Sequence, residues 1–159
     1  MSLEKENFLR TRLVKHLQQL PPGTAPLWGK MSLQHMVEHL VNDAVRVANG
    51  QRKFDHIVTP AEHLPRMQEF IMSDKQIREN TKNPLLGDQP APLMYQTLQG
   101  AIGALQEELI YFFEAFEKDQ QLITRNPIFG DLDFELNVRL LYKHALHHLR
   151  QFGIQPWAI

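Results

Sequence analysis

Residues 133–152 read Asp133-Phe-Glu-Leu-Asn-Val-Arg-Leu-Leu-Tyr-Lys-His-Ala-Leu-His-His-Leu-Arg-Gln-Phe152. Phe134, Val138, Leu141, Tyr142, Ala145, Leu149 and Phe152 recur at helical spacing and gather into one sector of a wheel drawn at about 100° per residue. Asp133 is a natural N-cap and Gly153 a natural stop. His144 and His148 stand one turn apart on an edge of the apolar sector. An i, i+4 pair projects two imidazoles from one face, close enough to share a metal ion. His147 falls outside the sector, toward Arg139, Lys143 and Arg150, which predicts that it faces water.

Three more runs carry the same period. Leu3, Phe8, Leu9, Leu13, Leu17 and Leu20 predict a helix over 3–20, ended by Pro21-Pro22-Gly23. Ser32 caps a second helix that runs to about Asn49, with Gly50 after it; its apolar set is Leu33, Met36, Val37, Leu40, Val41, Ala44, Val45 and Ala48. Pro60 and Pro65 predict short or broken helices from there to about residue 80. The longest helix is expected from about Leu93 to Lys118, lined by Leu98, Ile102, Leu105, Leu109, Phe112, Phe113 and Phe116. Nothing alternates as a strand does. The expectation is an all-α four-helix bundle with additional short helices, in one domain over residues 1–159. Asn83-Pro-Leu-Leu-Gly-Asp88 echoes Asn126-Pro-Ile-Phe-Gly-Asp131. Asn-Pro starts a turn and Gly permits positive φ, so reuse of one turn chemistry explains the echo.

Composition narrows the function. Of 159 residues, 43% are hydrophobic, enough for a core. Lys+Arg 17 against Asp+Glu 18 leaves a charge of −1, with no electrostatic case for nucleic acid or an anionic membrane. The absence of cysteine excludes disulfides, thiolate ligands and a cysteine nucleophile. The first residues are charged and unlike a signal peptide, and no apolar run approaches a membrane span of roughly 18 residues. A cytoplasmic location is expected. Eight histidines are many for this length.

A catalytic metal needs about three protein ligands and an open position, so the His144/His148 pair calls for a third ligand elsewhere. The run Met31-Ser-Leu-Gln-His-Met-Val-Glu-His-Leu40 offers His39, with His35 one turn earlier. On the second helix's wheel both lie off the apolar sector, His39 beside Asp43 and Arg46. Periodicity therefore leaves the third ligand open, and half-buried histidines satisfied by carboxylates or carbonyls remain the other reading. The metalloprotease motif is absent, because Met36 follows His35 where that motif has Glu.

The chain resembles the DinB/YfiT-like metalloenzyme superfamily, in a branch of unknown function. The resemblance spans roughly residues 27–153. It rests on Leu27-Trp-Gly-Lys-Met-Ser-Leu-Gln-His-Met-Val-Glu-His-Leu40, on Asn126-Pro-Ile-Phe-Gly-Asp-Leu132, and on Tyr142-Lys-His-Ala-Leu-His-His-Leu-Arg-Gln-Phe-Gly153. In that superfamily a Trp precedes a helix with a ligand His followed by Leu or Ile, and the last helix carries His-x3-His with a Gln shortly after. Matched position by position, the resemblance implies metal ligands His39, His144 and His148, with Gln151 as the trailing Gln. Many members have Gly-Gln soon after the last His; here the run is Leu149-Arg150-Gln151. Further implications are a mononuclear three-histidine site in a bundle, a homodimer, and chemistry such as thiol-dependent S-transfer.

Three neutral imidazoles leave a divalent ion its full charge. Such an ion can lower the pKa of bound water toward about 7 or deprotonate a low-molecular-weight thiol cosubstrate. Imidazole suits most of zinc, nickel, iron and manganese and does not choose among them; zinc or nickel is the first expectation, with iron or manganese behind. Glu38, His35 and Asp43 are candidates for a base or a ligand-orienting partner, and no catalytic residue is assigned. The leading expectation is a metal-dependent enzyme of thiol-transfer or hydrolytic type acting on a small molecule. The alternatives are a binding bundle that has lost chemistry and a dimerisation module whose histidines are incidental.

Overall fold

The computed structural model describes residues 2–81, 83 and 85–155. The fold is mostly helical with one small hairpin. Helix α1 covers Leu3–Asn7, a π turn at Phe8–Arg12, and Leu13–Gln19. Helix α2 covers Leu33–His39, a second π turn at Leu40–Val45, and Arg46–Ala48. A 3-10 turn at Ala61–His63 leads into α3, Leu64–Met72. Helix α4 is Leu98–Lys118 and α5 is Phe134–Gln151. Between them β1, Thr124–Asn126, pairs antiparallel with β2, Gly130–Leu132.

The helices form where the apolar spacing puts them, and their side chains meet in one cluster. Phe8, Leu9, Leu13 and Leu17 of α1 join the whole apolar set of α2, Ile102 to Phe116 of α4, and Val138, Leu141, Ala145 and Leu149 of α5. Leu3 is the exception, left exposed at the chain end. A second cluster of Ile71, Leu132 and Leu140 seats α3 and the hairpin on α5.

Helix ends follow capping chemistry. Asp133 accepts from the Leu136 amide at 2.9 Å, and Gly50 and Gly153 take positive φ where the expected stops lie. Helix α4 begins at Leu98 rather than Leu93, and two side chains explain the shift. Thr97 Oγ1 accepts from the Gly100 amide at 3.0 Å and so sets the cap. Upstream, the amides of Met94 and Tyr95 donate to the carboxylate of Glu38 on α2, at 2.6 and 3.2 Å, and are held out of the helix.

The hairpin corrects the expectation of no strands. Each strand has three residues, too short to display alternation. Its register pairs Thr124 with Leu132, Arg125 with Asp131 and Asn126 with Gly130. Asn126 Oδ1 accepts from the amides of Ile128 and Phe129, while Asn83 Oδ1 accepts from Leu85, so the two echoed loops do share an Asn-initiated turn. The hairpin ties α2 to α5: Thr124 Oγ1 donates to the Ala48 carbonyl at 2.9 Å and accepts from buried Asn137 at 2.9 Å. Among the described residues no helix is long and apolar enough to cross a membrane.

A candidate three-histidine metal centre

Helices α2 and α5 bring His39, His144 and His148 together from positions 105 residues apart. Among the described residues this is the group of three His or acidic side chains able to hold a metal ion, with its donor atoms all within 4.8 Å of one another. Nε2 of His39 lies 3.1 Å from Nε2 of His144, which lies 3.0 Å from Nε2 of His148. Three nitrogens about 2.0–2.1 Å from one zinc-like ion, at angles between square and tetrahedral, stand about 2.8–3.4 Å apart. The spacing fits.

The partners of the other ring nitrogens fix the tautomers. His39 Nδ1 lies 2.8 Å from Asp43 Oδ2, and a carboxylate can only accept, so Nδ1 carries the proton. His148 Nδ1 lies 2.7 Å from Gln151 Oε1. Gln151 presents that oxygen because its Nε2 donates to the Trp28 carbonyl at 2.9 Å. In their neutral forms both rings therefore turn an Nε2 lone pair inward. His144 Nε2 has at most one proton to give, so it cannot satisfy both neighbours. One of the two short contacts is lone pair against lone pair until a cation enters.

Electrostatics favour neutral His144 and His148. Burial, together with neighbouring His148 and His39, holds the His144 pKa well below 6.5. Burial does the same to His148, with His39 adding to it and Gln151 opposing. Burial raises Asp43, but the hydrogen bonds and charges of His39 and Arg52 outweigh it and leave Asp43 below its usual range. Arg52 also donates to the Asn42 carbonyl at 3.0 Å, so it is pinned on the α2 side of the site.

The residues singled out in the sequence separate here. Gln151 and Asp43 orient His148 and His39. His35 does not reach the site: it completes a capping box with Ser32, whose Oγ accepts from the His35 amide at 3.1 Å while His35 Nδ1 accepts from the Ser32 amide at 3.2 Å. Glu38 is not a base for the histidines either, since its oxygens receive Met94, Tyr95 and Gln34 Nε2. His147, expected to face water, is 7% exposed, with its ring 5.6 Å from that of Trp28. The wheel of α5 sees only its own helix, and segments from outside it cover that face. Arg52 carries no sequence signal at all, because it acts from a loop nine residues beyond Asp43.

Gly29 closes the arrangement from outside. Its φ is +82°, and a Cβ there would sit 2.9 Å from Gln151 Nε2. The Leu27 amide donates to the Gln151 carbonyl at 2.7 Å. The loop carrying Trp28 is thus locked to the residue that orients His148. The three histidines open onto a broad cleft of about 2400 Å³, shared with Trp28, Phe70, Ile77 and Leu141. Comparison of the chain with protein-family models, with curated proteins and with solved structures gave no match in any of the three.

Proposed function

We propose that the protein is a metal-dependent enzyme with a mononuclear site built by His39, His144 and His148. The observation that carries this reading is the convergence of three Nε2 atoms at 3.0 and 3.1 Å while Asp43 and Gln151 hold the opposite nitrogens protonated. Metal-binding imidazoles characteristically donate their other N–H to a carboxylate or carbonyl, which is the pattern of His39 and His148. The four long helices are read as a four-helix bundle of the DinB/YfiT-like type, on the motif resemblance of residues 27–153.

When bound, a divalent ion would supply Lewis acidity at neutral pH, serving hydrolysis or activation of a low-molecular-weight thiol. The chain's residues do the rest. His39, His144 and His148 present neutral donors, Asp43 and Gln151 keep two of them in the binding tautomer, and the cleft admits a small molecule. The absence of cysteine fits a thiol that comes from the cosubstrate. Zinc and nickel are the first candidates, with iron and manganese behind them. On the same reading the protein works in the cytoplasm as a homodimer. A binding bundle without chemistry would keep the fold and need no ion.

Metal analysis of protein purified without chelator tests the reading. One equivalent of a transition metal per chain, lost on chelation and restored on titration, is the expected result. A chain that neither retains nor takes up metal refutes it.

A further inference from the structure

Helix α5 carries two adjacent stripes. His144 and His148 form one; the residues just before each, Lys143 and His147, form the other, also one turn apart. Lys143 is 8% exposed, a burial that lysine rarely tolerates without partners. Its Nζ donates to the Ser73 carbonyl at 3.0 Å and to the Lys75 carbonyl, and lies 4.4 Å from the Phe70 ring centroid. One turn on, His147 is buried too, its ring beside that of Trp28. Two carbonyls spaced two residues apart, those of Ser73 and Lys75, are thus held by the one ammonium group of Lys143.

The segment's other hydrogen bonds are local: the Ser73 amide and Oγ donate to the Glu69 and Phe70 carbonyls at the end of α3, and the Lys75 amide donates to Ser73 Oγ. Asp74, Lys75 and Gln76 are exposed, and Ser73 and Ile77 are half-buried. A segment attached by polar grips rather than by apolar burial opens locally at a cost well below that of global unfolding. Ser73, Lys75 and Ile77 also line the cleft that holds His39, His144 and His148.

We propose that Ser73–Ile77 is a strap, gripped through the Ser73 and Lys75 carbonyls by Lys143, that walls the cleft of the three histidines and admits ligands when it is released. What the strap guards rests on the metal reading; that it is gripped does not. The experiment therefore has two arms.

The first arm needs no metal. Trypsin can cut after Lys75 and after Arg78, and such cleavage follows the population of the released strap. Wild type is compared with Lys143→Met and Lys143→Arg, the bonds being identified by mass spectrometry. Loss of charge-assisted hydrogen bonds is expected to speed cutting at these two bonds about tenfold in Lys143→Met. Lys143→Arg, which keeps a donor, is expected to stay near wild type. Unchanged cutting in Lys143→Met overturns the proposal. So does equal acceleration after Arg139, inside α5, which marks loosening of the whole chain.

In the second arm, cobalt(II)-loaded protein is stripped with excess EDTA and the visible absorption is followed. Lys143→Met is expected to lose metal about tenfold faster than wild type, with Lys143→Arg near wild type. Faster cutting with unchanged stripping refutes the guarding role. Failure of wild type to take up cobalt refutes the metal reading and the guarding role with it, while the cleavage arm still decides the grip.

Discussion

Asp43→Asn tests whether the chain sets the tautomer of His39. The substitution keeps shape and removes one charge. In the native site Oδ2 receives His39 Nδ1 at 2.8 Å while Oδ1 receives Arg52. An amide has one oxygen, so it can satisfy only one of these donors. If the oxygen faces Arg52, the amide NH₂ meets His39 Nδ1, favouring the tautomer that puts the proton on Nε2, where the metal should bind. If the oxygen faces His39, the NH₂ meets the Arg52 guanidinium, donor against donor. Either choice weakens the site. Loss of such an orienting partner costs about 10–100-fold in metal affinity, or about 1.4–2.8 kcal/mol. The assay is competition for zinc against a chromophoric chelator at pH 7.5. Glu38→Gln is the control, because its carboxylate serves Met94 and Tyr95 and not His39. Adding Arg52→Leu to Asp43→Asn should recover part of the loss, since the oxygen is then free to face His39. Wild-type affinity in Asp43→Asn, with His39→Ala still damaging, would refute the tautomer argument. Equal loss in Glu38→Gln would show that the effect is not local.

Three further outcomes follow from the same geometry, and a fourth tests the homodimer proposed on the motif resemblance. His39→Ala, His144→Ala and His148→Ala should each weaken metal binding by more than the roughly 100-fold of an orienting partner, whereas His35→Ala should spare affinity and cost about 1 kcal/mol of stability through its cap, read by urea unfolding alongside metal titration. Apo-protein stability should be full above the ordinary histidine pKa of 6.5 and fall as pH drops below it toward the depressed folded values of His144 and His148, because the unfolded chain takes up protons that the folded one refuses; a melting temperature flat from pH 7.5 to 5 would contradict this. Gly29→Ala should lower both stability and metal affinity, since its φ of +82° is strained for alanine and the new Cβ would press on Gln151 Nε2; unchanged zinc affinity would break the link from Trp28 to His148. Light scattering should give twice the 18.5 kDa chain mass, and a monomer at micromolar concentration would remove the homodimer.

The helices were legible because their apolar residues recur at one period and their stops are Gly or Pro. His144 and His148 were legible for the same reason, as two side chains on one regular helix. His39 was not. A wheel assumes about 100° per residue throughout, but a π turn begins at Leu40, directly after His39, and inserts extra chain into the helix. The sector averaged over residues 33–48 is therefore not one face of α2, and His39 lies half-buried although the wheel placed it off the apolar sector. Lys143 and His147 were misread because irregular chain covers them, the Ser73–Lys75 segment over Lys143 and the loop of Trp28 beside His147, and irregular chain has no period to read. Gln151 came only from the motif resemblance, and Arg52 from nothing in the sequence.

The two inner partners differ in charge, and that difference bears on what the site would accept. Asp43 holds His39 with a carboxylate that Arg52 neutralises, whereas Gln151 holds His148 with an amide fixed by the Trp28 carbonyl. The nearest other carboxylate on α2, Glu38, is already engaged by three N–H donors. Three neutral imidazoles, one carboxylate and one guanidinium sum to no net charge. A divalent ion would bring its two positive charges into a half-buried position without compensation from the chain. Burying an unpaired charge is costly, so the compensation has to come through the open cleft. This favours an anionic donor atom from the ligand side, as a deprotonated water or thiol supplies, over a neutral one. The same balance explains why a carboxylate ligand within the triad would change the chemistry: it would remove the demand for an anion that the three histidines create.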